Sequence, residues 1–229
     1  MGRDCLLFLD PVILCGRKDA IALRVEEMNA QELRETKSYH DTVLFTFCGM
    51  TQRPSHLPMG SSWFIVRKIR DTLEQRLGGR VLTIPVQGVD LVNDENAFFS
   101  IPHEQFCALL QESMNVFSRY LPITYAVLLS DSLHKEQAFF DAFSNTALKT
   151  ASFVWWHDGL DLAPDTYIPS GEHDTSLMLT IAKGLVDVDQ KSADRLKANR
   201  ATAQAGEKYL QQISDRLQMV VETLWNQKY

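Results

Sequence analysis

Two hydrophobic patterns alternate along the chain and divide it into predicted strands and helices. Unbroken runs of aliphatic, aromatic and β-branched residues predict strands that are buried on both faces. Apolar residues that recur every three or four positions predict helices with one buried face. The predicted strands cover residues 42–48, 81–86, 125–130 and 153–156. The predicted helices cover residues 25–38, 63–77, 103–119, 134–143, 173–184 and 191–226.

This alternation predicts an α/β fold with three layers, α/β/α, in which a mostly parallel central sheet of about four strands is covered on both faces. A long C-terminal helix, residues 191–226, is appended to it. We expect a single domain over residues 1–229, because no linker composition interrupts the chain. Ligands of such folds bind beyond the carboxyl ends of the strands. Those ends predict a site built from residues 49–62, 87–100, 130–136 and 157–171.

Composition and charge exclude several classes of protein. A net charge of −6 argues against a general nucleic-acid or anionic-membrane binder, which needs a basic surface. The apolar run at residues 5–15 is broken by Asp10 and Pro11 and is too short to span a bilayer. The 4 cysteines form no C-x-x-C pair, so we expect reduced thiols and a cytoplasmic protein.

Three of the strand ends carry sequences that resemble a known family. Residues 51–62 read TQRPSHLPMGSS, residues 130–135 read SDSLHK, and residues 169–176 read PSGEHDTS. They resemble the E-x-H-G-P-H-L-P-x-G-x-D, N-G-H-G-G-N and H-A-G-E-x-E-T-S motifs of the creatininase (creatinine amidohydrolase) family. The resemblance covers about residues 25–190 and implies that family's α/β fold, with an oligomeric assembly.

The resemblance also implies a site with two divalent metal ions, which generate a hydroxide that opens an amide bond. The sequence departs from the family at most of the ligand positions. Four of the family's ligand positions carry other residues here, namely Thr51, Arg53, Ser62 and Ser132. A fifth position keeps a carboxylate, that of Asp174, on a side chain that is one methylene shorter than the family's glutamate. Hydroxyl groups do not replace carboxylates as strong ligands. We therefore expect no metal centre of the family type and no cofactor.

The candidate site residues follow from these motifs and strand ends. The predicted catalytic residues are His56, Glu172 and Asp174. The predicted substrate-binding residues are Arg53, Ser132, Trp155, Trp156 and His173. For Arg53 the alternative, which we favour, is a salt bridge to Asp131 or Asp174 that fills the old metal cavity. Glu172 and Asp174 are equally explained by the start of a helix, where carboxylates are stabilised.

Three functional hypotheses remain open, and we favour the first because polar and aromatic residues are concentrated at the strand ends. The first is a metal-independent amidohydrolase or cyclase that acts on a small amide, lactam or carbonyl substrate in a specialised, natural-product type of biosynthetic pathway. The second is a non-catalytic homologue that serves as a partner subunit. The third is a metal-dependent amidohydrolase with relocated ligands, drawn from His134, Glu136, His157, Asp158, Glu172, His173 and Asp174. An open pocket at Arg53 favours the first, and a closed, salt-bridged pocket favours the second.

Overall fold

A parallel β-sheet forms the middle layer of the protein in a computed structural model that describes residues 24–77, 79–91, 97–189 and 198–227. The strands are β1 (Thr42–Cys48), β2 (Val81–Thr83), β3 (Gln87–Gly88), β4 (Asp90–Leu91), β5 (Ser100–Ile101), β6 (Tyr125–Ser130) and β7 (Lys149–Val154). The helices are α1 (Ala30–Glu35), α2 (Ser61–Leu77), α3 (His103–Tyr120), α4 (Leu133–Phe143), α5 (His157–Leu160), α6 (Glu172–Ile181) and α7 (Ala203–Asn226). The predicted α/β class is confirmed.

The sheet has the order β2–β1–β6–β7, with every pair parallel, and β3 pairs with β1 beyond the end of β2. It has five strands instead of about four, because the predicted strand at residues 81–86 is split. Pro85 has no N–H to donate to a neighbouring strand. The hydroxyl of Thr46 donates to the carbonyl of Ile84 at the break, over 2.8 Å. Strands β4 and β5 form a separate parallel pair.

Helices cover both faces of the sheet, which explains why β1 and β6 are buried along their whole length and mostly apolar. Alternate residues of a strand point to opposite faces. Val43 and Phe45 of β1 pack in one core cluster with Phe106 of α3 and Phe139 of α4. The other cluster joins β1 and β6 to α2, α6 and α7, with Leu44, Val127, Ile65, Leu177 and Ile213 among its members. All seven residues of β1 are buried.

Several predicted elements have different bounds in the structure. The predicted helix at 25–38 is a 3-10 turn, Val25–Glu27, followed by α1, which begins at a capping box between Asn29 and Glu32. The predicted strand at 153–156 is β7, which ends at Val154. Beyond it, Trp156 has helical backbone angles and precedes α5.

The long C-terminal helix is shorter than predicted within the described residues. Thr202 has an extended backbone and caps α7 by accepting a hydrogen bond from the Ala205 N–H, so the helix begins at Ala203. A 3-10 turn, Ala198–Arg200, precedes it. Residues 191–197 of the prediction, and the apolar run at 5–15, lie outside the described residues. None of the helices in the described ranges is both long enough and apolar enough to cross a membrane.

Helices α6 and α7 approach each other so closely at Gly206 that a side chain does not fit. A Cβ atom built on Gly206 would overlap the Ser176 carbonyl oxygen and the Thr180 hydroxyl. The Ser176 oxygen belongs to the backbone of a packed helix and cannot rotate away. This contact fixes the position of α7 over the helix that carries part of the candidate site.

We predict that Gly206→Ala lowers the free energy of unfolding by about 3 kcal/mol, at the upper end of the usual cost of overpacking. The matched control is Gly184→Ala, because an added Cβ there has no neighbour within 4 Å. Urea unfolding of the two variants measures the difference. Equal stability of Gly206→Ala and the parent protein would contradict the close approach of α6 and α7.

His40, just before β1, is a fully buried histidine whose two ring nitrogens have no hydrogen-bond partner. Burial lowers its pKa from the ordinary value of 6.5, although the negative charge of Asp41 opposes the shift. The unfolded chain therefore takes up this proton at a higher pH than the folded chain. Stability contributed by neutral His40 is present above pH 6.5 and is lost as the pH falls towards the lowered folded-state pKa.

We predict that His40→Phe makes unfolding less sensitive to acid between pH 7.5 and 5.5, roughly one unit to either side of the ordinary histidine pKa. The phenyl ring fills the same space but binds no proton. Urea unfolding midpoints of the parent and the variant at the two pH values are the measurement. If both proteins lose the same stability over this interval, His40 is not the group responsible.

Candidate functional site at the carboxyl edge of the sheet

The carboxyl ends of β1, β6 and β7 bring together the segments that sequence analysis selected. Gly49 follows β1, Asp131 follows β6, and Trp155 follows β7. The segment after β1 continues as a loop to the start of α2 at Ser61. The loop before α6 completes this edge of the sheet, because its residue Ser170 lies against the loop after β1.

Arg53 lies at the centre of this edge and forms a closed set of contacts. Its Nη1 donates to the Asp174 carboxylate over 3.2 Å and to the Ser170 hydroxyl over 3.0 Å. Its Nη2 donates to the Ser62 hydroxyl over 2.7 Å. The Arg53 side chain is 7% exposed and that of Asp174 is 1% exposed. The ion pair with Asp174 is one of the two partners that sequence analysis favoured for Arg53.

Asp174 has hydrogen-bond donors on both of its carboxylate oxygens. Oδ1 accepts from the Tyr167 hydroxyl over 2.9 Å, and Oδ2 accepts from the Ser170 backbone N–H over 2.9 Å. Ser170 adopts the left-handed backbone conformation, with φ of 63°, which is uncommon for a residue with a side chain. Burial, followed by the negative charge of Asp174, raises the pKa of Tyr167 well above its ordinary value. The phenol is therefore a neutral donor to a charged acceptor.

The two predicted substrate-binding tryptophans pack against Tyr167 of the same chain. The ring of Trp156 stacks on Tyr167 with centroids 4.4 Å apart and an interplanar angle of 3°. Trp155 meets Tyr167 edge-on at 5.8 Å. Trp155 is completely buried, and Trp156, which is 6% exposed, donates its indole N–H to the Asp131 carbonyl over 2.8 Å. Trp155, Trp156 and Tyr167 thus form one aromatic cluster, here called the aromatic wall, which reaches the Arg53 pair through the Tyr167 hydroxyl on Asp174.

His56 ties the loop after β1 to the segment before α6. Its Nε2 lies 3.2 Å from the Ser170 carbonyl oxygen and 3.1 Å from the Thr175 hydroxyl. Its backbone carbonyl accepts from the Asp187 N–H over 3.0 Å. The side chain is 1% exposed. The predicted catalytic residues His56 and Asp174 therefore meet through Ser170, which contacts both.

The other predicted site residues contact different parts of the protein. Glu172 accepts from the hydroxyl of Tyr209 on α7 over 3.3 Å, and the His173 ring lies 5.1 Å from the same tyrosine ring. Ser132 caps α4 by accepting a hydrogen bond from the His134 N–H. Only Ser132 makes a capping contact, whereas Glu172 and His173 contact a tyrosine of α7.

A second charged cluster at this edge was missed by sequence analysis. The ammonium group of Lys135 donates to Asp131 over 2.8 Å and to Asp90 over 2.9 Å, and the Lys135 side chain is completely buried. The second oxygen of Asp131 accepts from the Gly49 N–H over 2.8 Å. The spacing of Asp131 and Lys135, four residues apart, was the only signal available, because Asp90 is distant in sequence.

The protonation states of this second cluster are fixed by its own charges. Burial alone would lower the pKa of Lys135, but Asp131 and Asp90 raise it above its ordinary value. Burial alone would raise the pKa of Asp131, but the charge and hydrogen bond of Lys135 hold it below its ordinary value. Nearby, burial and then the charge of Asp131 raise the pKa of the Cys48 thiol, which disfavours a nucleophilic thiolate.

The residues at the family's ligand positions do not fit a dinuclear metal centre. The Arg53 guanidinium places a positive charge against Asp174 and Ser62, which stand at two of the three positions where the resemblance implies carboxylate ligands. Ser132 is engaged as a helix cap. Thr51 offers only a hydroxyl. Among the residues that the structure describes, no group of three or more histidine, cysteine or acidic side chains is arranged to hold a metal.

Comparison with solved structures finds creatininases. A creatinine amidohydrolase (creatininase) matches with a TM-score of 0.70 and 14% identity, over 91% of this chain and 100% of that chain. The manganese form of creatininase matches with 0.69 and 15%, over 90% and 100%. A creatininase variant of the Zn–Zn type matches with 0.69 and 14%, over 91% and 100%. No protein-family model and no curated protein sequence matches the chain.

The fold is therefore that of a three-layer α/β protein with its candidate site at the carboxyl edge of a parallel sheet. Within that class it is creatininase-like, as the three strand-end motifs indicated. The match extends over the full length of those solved structures. At 14–15% identity the likeness concerns the fold.

We predict that Arg53→Met lowers the free energy of unfolding by about 3 kcal/mol, because it leaves Asp174 buried without a counter-charge. The matched control is Arg67→Met, since that guanidinium is 47% exposed and 3.8 Å from Asp71. We expect the control to change stability by less than about 1 kcal/mol. Urea unfolding measures both.

The double variant Arg53→Met/Asp174→Asn tests whether the cost comes from the uncompensated charge. It should regain part of the stability that Arg53→Met loses, because the buried carboxylate is then neutral. An additive loss in the double variant would show that the two side chains do not act as a pair.

Proposed function

We propose that this protein is a non-catalytic creatininase-like subunit, which keeps the fold without the family's chemistry and acts through its surface as a partner in an assembly. The observation that carries the proposal is the closed Arg53–Asp174 pair. Its charges, its serine partners and its aromatic wall all come from the chain itself. This is the second of the hypotheses raised by the sequence, and the closed pocket is the feature that favours it.

The protonation states at the site support the absence of acid–base chemistry. A general acid or base works best when its pKa lies near the working pH. Here the pKa values of Tyr167, Lys135 and Cys48 are raised, and that of Asp131 is lowered, which in every case is away from neutrality. These four groups are held in one protonation state at neutral pH.

Two surface cavities among the described residues lie away from the Arg53 pair. One, of about 560 Å³, is lined by residues of α7 from Glu207 to Arg216. Another, of about 360 Å³, lies beside α5 and is lined by residues from His157 to Ala163. Neither is lined by Arg53, His56 or Asp174. A small-molecule substrate of the expected class would have to open the site before it could reach these side chains.

Exposed apolar side chains around the closed site support a role in assembly. Phe98 and Phe99, which lie just before β5, are 51% and 58% exposed, and Met59, which precedes α2, is 48% exposed. The Phe98 N–H donates to the Met50 carbonyl, which places this loop beside the loop after β1. Two adjacent exposed aromatic side chains on one loop support a role in contacts with another protein, because large exposed apolar patches mark interaction sites.

The metal-independent enzyme remains a second candidate because of one specific observation. The Nε of Arg53 is buried and has no hydrogen-bond partner. A buried donor without an acceptor is costly. In an enzyme, that N–H would donate to the carbonyl oxygen of a bound amide or lactam. A substrate would then have to displace part of the aromatic wall formed by Trp155, Trp156 and Tyr167.

The test is turnover together with metal content. We predict that the purified protein, incubated with creatinine and a panel of lactams in the presence of zinc or manganese, gives no turnover above the buffer rate. Elemental mass spectrometry should find less than 0.2 equivalent of either metal, that is roughly a tenth of the two ions that a dinuclear centre holds. Turnover that scales with protein concentration and survives repeated purification would contradict the proposal, as would two tightly bound metal ions.

A back-substituted variant provides the positive control. It combines Thr51→Glu, Arg53→His, Ser62→Asp, Ser132→His and Asp174→Glu, and so restores the ligand types of the motifs. Zinc binding by this variant would show that the scaffold still accepts a metal when Arg53 is removed.

The assembly role is tested by light scattering. The parent protein should form oligomers, and the double variant Phe98→Ser/Phe99→Ser should form fewer of them. A parent protein that is monomeric and binds no creatininase-like subunit would contradict the assembly role.

A further inference from the structure

Lys135 is buried as completely as any residue of the apolar core, although its side chain ends in a charge. The side chain has 0% exposure, and its ammonium group contacts Asp131 at 2.8 Å and Asp90 at 2.9 Å. Those carboxylates are 12% and 13% exposed. An isolated ammonium at this depth would be strongly unfavourable, so the two carboxylates must supply the interaction that keeps it charged.

The surrounding backbone is shaped for this cluster. Asp131 accepts from the Gly49 N–H, and Asp90 accepts from the Leu91 N–H over 3.0 Å. A Cβ atom built on Gly49 would overlap the Asp90 carboxylate, so only glycine lets Asp90 lie this close to the end of β1. The two carboxylates are therefore held in place by main-chain donors as well as by the lysine.

The cluster has the properties of a site for an ammonium ion and not for a divalent metal. Each carboxylate presents one oxygen to Lys135, and the other Asp131 oxygen is taken by the Gly49 N–H. Calcium requires six to eight oxygen ligands and magnesium about six in octahedral geometry. Two monodentate oxygens beside backbone N–H donors suit a cation that itself donates hydrogen bonds.

We infer that Asp90, Asp131 and Gly49 form a buried binding site for a primary ammonium group, which Lys135 fills from within the chain. The site joins the end of β1, strand β4 and the end of β6 to the first turn of α4. It contains none of the side chains that contact Arg53. It goes beyond the proposed function, because it describes how this edge of the sheet is held together whether or not the protein has a catalytic role.

The inference predicts chemical rescue. Lys135→Ala removes a propylammonium fragment and leaves two carboxylates facing a cavity of that shape. We expect its melting temperature to fall by about 10 °C, as for loss of one partner of a buried ion pair in a domain of this size. Propylammonium chloride at tens of millimolar should restore at least half of the loss, whereas sodium chloride of equal ionic strength, guanidinium chloride and manganese chloride should not.

Two controls define the result. The parent protein and Lys68→Ala, which changes an exposed lysine of α2, should melt alike and should not respond selectively to propylammonium. A Lys135→Ala variant that melts within 2 °C of the parent, a range of order 0.5 to 1 kcal/mol, would overturn the inference. Equal or greater rescue by manganese, or no selective rescue by propylammonium, would also overturn it.

A variant without charges in the cluster tests the ammonium-site inference if Lys135→Ala does not fold. The variant Lys135→Met/Asp90→Asn/Asp131→Asn keeps the shapes of the side chains but removes every charge of the cluster. If Lys135 serves to neutralise the two carboxylates, this variant folds, and it gains no stability from propylammonium. If it also fails to fold, the ammonium site is not the reason for the lysine. All of these experiments measure thermal stability, so their results do not depend on the outcome of the turnover assay.

Discussion

The charge of a buried arginine is the constraint on which the carboxyl edge of this protein depends. Moving a guanidinium out of water costs several kcal/mol, and the cost is offset only when the remaining hydrogen bonds are well formed. Asp174 supplies the counter-charge, and Ser62 and Ser170 supply acceptors. These residues belong to the start of α2, the loop before α6 and α6 itself. The pair therefore links elements that the sheet alone does not connect, and it closes the position where ligands of this fold class bind.

The two buried cations of this edge, Arg53 and Lys135, face three carboxylates, Asp174, Asp131 and Asp90. The clusters are coupled, because after burial and the dominant effect of Lys135 the charge of Arg53 also helps to lower the pKa of Asp131. Asp131 and Lys135 therefore hold each other in the charged state. Proton transfer between these two groups at neutral pH would have to work against both shifts in pKa, so the charges that hold this part of the edge together disfavour acid–base chemistry by them.

Helices and strands that follow a single hydrophobic pattern could be predicted from the sequence more accurately than the contacts between them. The bounds of β1 and β6 are those predicted, because both strands are mostly apolar and β-branched or aromatic runs that are buried on both faces. The strand at 81–86 is split because Pro85 interrupts its hydrogen bonds. Arg53 could be assigned Asp174 as a partner because two motifs placed both at strand ends. Asp90 could not be assigned to Lys135, since the contact depends on the close approach allowed by Gly49.

The comparison with creatininases separates what the fold requires from what a dinuclear site requires. TM-scores of 0.69–0.70 over the full length of the solved structures show that the backbone is retained at 14–15% identity. Arg53, Ser62 and Asp174 occupy strand-end positions where the family resemblance implies metal ligands. A guanidinium can occupy such a place because, like a metal ion, it is a fixed positive charge that gathers oxygen atoms from several segments. It differs in that it cannot lower the pKa of a bound water or accept one as a ligand. Under the proposal of a non-catalytic subunit, Arg53 and Lys135 hold this edge of the sheet together by charge, without the metal ions that would generate a nucleophilic hydroxide.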